Sequence, residues 1–166
     1  MPAGQATETS AGPADREAAI DAVFTVPSPD TIPSGQRGEK IRMGHAIVVH
    51  TQRYAKRYVG NTLNCTNCHL DAGLNPNAAS FVGLSTQYPE YRARAGRKIT
   101  LAERINECFQ RSLNGKALPP DSSKLQAVIA YIEWLSQYVP RGSQMAWRGL
   151  PRMTPGRPAD ASMGKA

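Results

Sequence analysis

The motif Cys65-Thr66-Asn67-Cys68-His69 constrains this chain more than any other stretch of its sequence. In C-x-x-C-H spacing, two thiols can add to the vinyl groups of a haem while the next residue ligates the iron. The motif therefore predicts one covalently attached haem c, bound through Cys65 and Cys68, with His69 as one axial iron ligand. The remaining question is which residue takes the opposite axial position, because that ligand separates an electron carrier from a catalyst.

The 166 residues provide enough chain for one domain of ordinary size, but both ends are poor in core material. They are rich in Ala, Gly, Pro, Ser and Thr mixed with charge, and they lack apolar periodicity. We therefore predict a flexible N-terminal segment over 1–30, a folded domain over 31–150 and a flexible C-terminal tail over 151–166.

The sequence contains no apolar run of about 18 residues, so we predict that no segment spans a membrane. Its first residues also lack the basic and apolar regions of an export signal. Bacteria nevertheless attach haem covalently outside the cytoplasm. We therefore expect a periplasmic protein whose export signal has been removed.

The chain carries a formal net charge of +7, from 20 Lys and Arg against 13 Asp and Glu. A positive surface favours small anionic substrates or an acidic protein partner. The basic residues are scattered rather than grouped in an arginine-rich block with interleaved aromatics. Nucleic-acid binding is therefore not predicted.

The apolar periodicity predicts an all-α domain with three main helices. They cover residues 37–58, ended by Gly60; Leu101 to about Leu113, started by a Thr100/Glu103 capping box; and Ser123–Tyr138. Residues 71–99 are rich in Gly, Pro and Asn, and we expect a loop with little regular structure around the haem. This order of elements resembles the single-haem, class I-like cytochrome c fold, in which Gly44 would let the last helix cross closely at Tyr131 or Trp134.

An inventory of iron-ligating side chains reduces the number of candidates for the second axial ligand. An electron-carrying cytochrome c usually takes a methionine from a loop well after the attachment histidine, but no methionine or histidine lies between Leu70 and Gln144. His45 and His50 lie on the first predicted helix, and Met145 and Met153 follow the last one. These four residues remain alternatives. The weaker nitrogen donors of the intervening stretch are Lys98, Lys116 and Lys124.

Cys108 is the leading candidate within that stretch. A lone helical cysteine is often a small buried apolar residue. Here, however, Arg104, Arg111 and Ser112 occupy helical positions i−4, i+3 and i+4 relative to it. A cationic, polar face would stabilise a thiolate, so the pattern predicts a lowered pKa for the Cys108 thiol.

Three stretches, "GNTLNCTNCHLDAG", "YPEYRARAGRKITLAERINECFQRSLNG" and "LPPDSSKLQAVIAYIEWLS", resemble the catalytic haem domain of the thiosulfate dehydrogenase family. More distantly they resemble SoxA-like cytochromes. The resemblance covers residues 40–140 and implies oxidation of thiosulfate to tetrathionate, or the reverse, with His69 and Cys108 as the axial ligands. It further implies that Cys108 and Arg104 are catalytic and that Arg104 and Arg94 bind the anionic substrate. Position alone adds Arg92 and Ser112 to the predicted substrate site.

The chain departs from the two-haem pattern typical of that family, because it has only one C-x-x-C-H motif. Coupling two thiosulfates releases two electrons, whereas one haem stores one. A partner cytochrome or a second haem domain is therefore expected. The alternative functions are electron transfer without catalysis, and sensing through a labile cysteine ligand.

Overall fold

A computed structural model describes residues 21–151. Its elements are helix α1 (Gly35–Val49), the single turn α2 (Thr51–Tyr54), strands β1 (Glu90–Arg92) and β2 (Arg97–Ile99), helix α3 (Leu101–Glu107), a π-helical turn (Cys108–Ser112) and helix α4 (Ser123–Leu135). One short 3-10 helix precedes α1, at Pro29–Thr31, and four more follow α2 or the cysteine motif, at Lys56–Tyr58, Cys65–Asn67, Asp71–Gly73 and Leu84–Gln87. The helical domain that the sequence predicts is thus confirmed.

Helices α1 and α4 cross closely at Gly44, as predicted. A Cβ atom placed on Gly44 would lie 2.1 Å from the carbonyl oxygen of Ala127 and 2.7 Å from Cβ of Tyr131. Only a residue without a side chain permits this approach. The crossing buries the apolar face of α4 in the main core. Leu125, Val128, Ile132 and Leu135 are buried there, and Ile129 is partly buried.

The first helix is shorter than predicted, because the chain leaves the helical path at His50 (φ −126°, ψ 52°). Beyond this break, the backbone N–H of Gln52 donates a hydrogen bond to the side chain of Asn64 at 3.0 Å. The hydroxyl of Thr51 donates to the carbonyl of Ile47 at 2.8 Å. Residues 50–58 therefore use their polar groups to hold the segment that carries the cysteine motif, and the predicted helix end at Gly60 is wrong.

Residues 71–99 contain more regular structure than predicted. Strands β1 and β2 form an antiparallel hairpin in which Glu90 pairs with Ile99 and Arg92 with Arg97. Gly96, in the left-handed region at φ +65°, lies in its turn. The prediction of an all-α chain is corrected to this extent. The strands were missed because each has only three residues, too few to show an alternating pattern.

The predicted helix from Leu101 to Leu113 begins at its predicted capping box but changes its winding at Cys108. Thr100 accepts a hydrogen bond from the backbone N–H of Glu103, whose carboxylate accepts one from the N–H of Thr100. From Cys108 onward the turn is π-helical, and Leu113 N–H donates to the Cys108 carbonyl. The last helix ends at Leu135 rather than Tyr138, because Ser136 caps it by donating its hydroxyl to the Ile132 carbonyl at 2.7 Å.

The described residues begin before the predicted domain boundary at residue 31. Asp21 pairs with Gln144 in an isolated bridge, and the rings of Phe24 and Trp147 meet edge to face with their centroids 5.1 Å apart. Both predicted tails lie mainly outside the described residues, so the domain limits remain predictions. No helix within residues 21–151 is both long and apolar enough to cross a bilayer.

Candidate functional site

Thr51 anchors the first cysteine of the motif. Its side chain is fully buried and its hydroxyl accepts a hydrogen bond from the backbone N–H of Cys65 at 3.0 Å. The same oxygen lies 3.3 Å from Cys65 Sγ. Burial raises the pKa of the Cys65 thiol, which the hydrogen bond from Thr51 opposes. The break after α1 thus has a structural role, because it brings Thr51 to the cysteine.

A hydrogen bond to a backbone carbonyl fixes the orientation of the His69 ring. Its Nδ1 lies 2.7 Å from the carbonyl oxygen of Ala79, to which an N–H at this position donates. This tautomer leaves the lone pair on Nε2, the atom available to a metal. Burial lowers the pKa of His69, which favours the neutral imidazole that ligates iron. The ring of Phe81 packs against the imidazole with their centroids 4.3 Å apart.

Two glycines bring the cysteine motif and the Cys108 turn together. A Cβ on Gly60 would lie 1.9 Å from the carbonyl oxygen of Asn114, and one on Gly115 would lie 2.0 Å from that of Tyr58. Gly60 N–H donates to the Leu113 carbonyl at 2.8 Å. Residues 58–61 therefore pack directly on the end of the π-helical turn, which explains why Gly60 is required although it does not end the first helix.

Cys65, Cys68, His69 and Cys108 line one cavity, whose other walls are mostly apolar. The alternative ligands lie elsewhere. His45 packs against the ring of Tyr131, and Met145 is buried beside Val82 and Val139. His50, Lys98, Lys116 and Lys124 do not line this cavity either, and Met153 is outside the described residues. Among the candidates from the inventory that the structure describes, only Cys108 lines the cavity of Cys65, Cys68 and His69. Met145 lines a separate pocket that also borders His69, but neither Cys65 nor Cys68.

The predicted lowering of the Cys108 pKa is wrong for the thiol in the structure. Burial raises its pKa, and this effect exceeds the lowering by the Arg104 guanidinium and by a hydrogen bond with Ser112. The neighbouring carboxylate of Glu107 adds to the rise. The sequence shows which charges are close to Cys108 but does not show how little water reaches it.

The predicted substrate residues all line a second, polar cleft. Arg92, Arg94, Arg104 and Ser112 are joined there by Tyr91, Ala93, Glu107 and Arg111. The cleft has a volume of about 760 Å³, within the usual range for small-molecule sites. Ser112 lines both this cleft and the cavity of Cys108. The structure therefore places four arginines next to the wall that carries the cysteine.

Ion pairs distinguish these arginines. Arg104 pairs with Glu107 at 3.0 Å and Arg92 pairs with Glu90 at 3.4 Å, whereas Arg94 is exposed and makes no ion pair within residues 21–151. The predicted substrate residues did not include Glu107 or Arg111, although the sequence placed Arg111 on the helical face of Cys108. Glu107 could have been found, since it stands at i+3 from Arg104, where opposite charges meet on a helix.

The donor set fits a covalently attached haem. Two thiols three residues apart, an imidazole with its Nε2 available and a third sulfur line one cavity with apolar walls. These are the groups that would be needed for two thioether bonds to a haem and two bonds to its iron. The side chains that could hold the group are therefore Cys65, Cys68, His69 and Cys108.

Comparisons with known proteins agree with this site. A family model described as "SoxA/TsdA, cytochrome c domain" matches residues 51–140. Thiosulfate dehydrogenase of Allochromatium vinosum is 43% identical over 147 residues, which cover 86% of this chain and 54% of the relative. Thiosulfate dehydrogenase of Stutzerimonas stutzeri is 40% identical over 133 residues, covering 80% and 43%.

A solved structure of thiosulfate dehydrogenase (TsdBA) from Marichromatium purpuratum superposes with a TM-score of 0.75 at 37% identity. The match covers 81% of this chain and 30% of that one. The chain therefore spans only about half of the curated relatives that it matches, or less.

Proposed function

Because the chain belongs to the SoxA/TsdA cytochrome c domain family, we propose that it oxidises thiosulfate to tetrathionate, or catalyses the reverse reaction, in the periplasm. As a cytochrome c domain of this family it carries covalently bound haem c. The observation that carries the proposal is the position of Cys108, which shares the cavity of His69 while its neighbour Ser112 opens onto the arginine cleft.

In this proposal Cys65 and Cys68 would hold the haem through thioether bonds, and His69 and Cys108 would ligate its iron. When bound, the haem supplies a one-electron acceptor next to the reacting sulfur. Since each tetrathionate releases two electrons, a partner cytochrome or a second haem domain takes them onward. Thr51 and the carbonyl of Ala79 keep Cys65 and His69 in place for this arrangement.

The arginine cleft brings two dianions together. Arg94 and Arg104 provide charge-assisted hydrogen bonds to the sulfonate oxygens and offset the repulsion between the anions. Arg92 lines the same cleft. The Ser112 hydroxyl, at the boundary with the Cys108 cavity, is placed to orient the inner anion.

Cys108 performs the sulfur chemistry as a thiolate, a form that burial alone disfavours and that binding to iron would favour. It forms a disulfide bond with the terminal sulfur of one thiosulfate, and the two electrons released go to the partner cytochrome or second haem domain. The terminal sulfur of a second thiosulfate then attacks the outer sulfur of that disulfide. The Cys108–sulfur bond breaks, tetrathionate departs and the thiolate is restored with no net gain or loss of protons.

The replacement Cys108→Ser tests the proposal, because it keeps the size of the side chain and removes its sulfur. We expect full covalent haem attachment through Cys65 and Cys68. We also expect thiosulfate oxidation, measured with ferricyanide as acceptor, to fall at least about a thousandfold, as it does when a nucleophile is removed.

Gln110→Ala is a matched control, because Gln110 is exposed on the same π-helical turn and lines neither cavity. Its activity should remain within about twofold of wild type. A Cys108→Ser protein that holds haem and oxidises thiosulfate at the rate of the control would refute the proposal and favour an electron carrier.

A further inference from the structure

A basic surface lies beside the cysteine motif and outside the arginine cleft. Arg53, Lys56 and Arg57 follow α1 and are all exposed. Lys116, also exposed, joins them because its backbone N–H donates to the Tyr58 carbonyl at 3.1 Å. We call these four residues the basic surface.

The charge of this surface is not neutralised by nearby carboxylates. No Asp or Glu occurs between Glu39 and Asp71 in the sequence. None of the four cations of the basic surface forms an ion pair with any residue of 21–151. In the arginine cleft, by contrast, Arg92 and Arg104 are paired with carboxylates. The basic surface therefore has the stronger attraction for a distant acidic protein.

Exposed apolar and sulfur atoms lie in and around the cysteine motif. Leu63 is next to the basic surface, because its carbonyl accepts a hydrogen bond from the side chain of Gln52, the residue before Arg53, at 3.1 Å. Leu63 is 38% exposed and also lines the cavity of His69 and Cys108. Leu70, directly after His69, is 46% exposed, and Cys68 is exposed as well. An apolar centre with a charged rim is typical of protein interfaces. The haem-attachment edge of the domain is thus accessible to a macromolecule.

We propose that the basic surface, with Leu63 and Leu70, docks an acidic electron-transfer protein that takes electrons through the Cys68 edge. This proposal rests on the proposed function only because thiosulfate oxidation needs an electron acceptor. A redox protein is favoured over a small anion because the four cations are exposed and line neither the cavity of His69 nor the arginine cleft. Docking there leaves the arginine cleft open, so that substrate and acceptor can bind together.

Charge reversal tests the docking surface in the full-length, haem-loaded protein. The double variant Lys56→Glu/Arg57→Glu reverses two charges of the basic surface. The control is the double variant Arg37→Glu/Lys40→Glu. It changes the net charge by the same amount as the first double variant, but at the other end of α1, about 20 Å away along the helix. The probe is plastocyanin, an acidic copper protein. Cu(I) plastocyanin reports binding through backbone amide shifts of the reduced cytochrome, and Cu(II) plastocyanin reports the rate at which one electron passes from ferrous haem to copper.

We expect plastocyanin to shift the amides of residues 53–70 in the wild type. The first double variant should lose these shifts and react about tenfold more slowly at low ionic strength, a difference that high salt removes. The control should differ from wild type by less than about twofold. Equal effects of the two double variants, or amide shifts confined to the arginine cleft, would overturn the proposal. A wild-type protein that binds plastocyanin as expected but does not oxidise thiosulfate would refute the proposed substrate and leave the docking surface intact.

Discussion

Replacing Gly44 with alanine should destabilise the domain, although alanine is the better helix former. The added Cβ would lie 2.1 Å from the Ala127 carbonyl oxygen and 2.7 Å from Tyr131 Cβ. Neither obstacle is the end of a flexible side chain, so α1 and α4 must separate. Overpacking of this kind costs about 3 kcal/mol, and the gain in helix propensity returns about 1 kcal/mol.

The net loss of about 2 kcal/mol should lower the melting temperature by roughly 8 °C for a domain of this size. Urea unfolding of the ferric haem-loaded protein, followed by far-ultraviolet circular dichroism and by haem absorbance, measures the free energy directly. Met43→Ala is the control, since Met43 is 45% exposed on the same helix. Its effect should stay within about 0.5 kcal/mol. A Gly44→Ala protein as stable as wild type would show that the helices do not depend on this close crossing.

Two further predictions concern single hydrogen-bonded groups. Thr51→Val should lower the free energy of unfolding in urea by about 1–3 kcal/mol, because the Cys65 N–H loses its buried acceptor. Thr51→Ser keeps the hydroxyl and should lose less. Equal stability of both variants would contradict this role of Thr51. Hydrogen bonds from Arg97 and from Thr100 lower the pKa of Glu103 from 4.5 to about 2. The stability advantage of wild type over Glu103→Gln should therefore be complete above pH 4.5 and disappear as the pH falls towards 2, as acid titration of unfolding will measure. An advantage that does not change with pH would be inconsistent with this shift.

The elements with strong local signals were predictable from sequence. The capping box at Thr100, the inner face of α4 and the close approach at Gly44 each depend on nearby residues or on helical spacing. The break at His50 was not predictable, because it depends on Asn64 and on the contact of Thr51 with Cys65 across the fold.

In the candidate site, too, the local features were predictable from sequence and the effects of tertiary packing were not. The motif and the inventory of ligands led to Cys108, and the predicted substrate residues Arg92, Arg94, Arg104 and Ser112 share one cleft. The direction of the Cys108 pKa shift was not predictable, because burial depends on how the π-helical turn packs against the segment before the motif. The spacing of the sequence shows which charged residues are near Cys108, but it does not show how far the fold excludes water from the thiol.

The proposed function depends on a covalent bond between the Cys108 sulfur and a substrate sulfur. The most direct measurement is peptide mass spectrometry of the haem-loaded protein, acid-quenched after ferricyanide and limiting thiosulfate are mixed, with the disulfide kept unreduced. We expect a peptide containing Cys108 whose mass is increased by one thiosulfate unit. It should form only when both thiosulfate and the oxidant are present, and it should disappear when further thiosulfate is added. Tetrathionate production with an unmodified Cys108 peptide at every quench time would contradict this expectation.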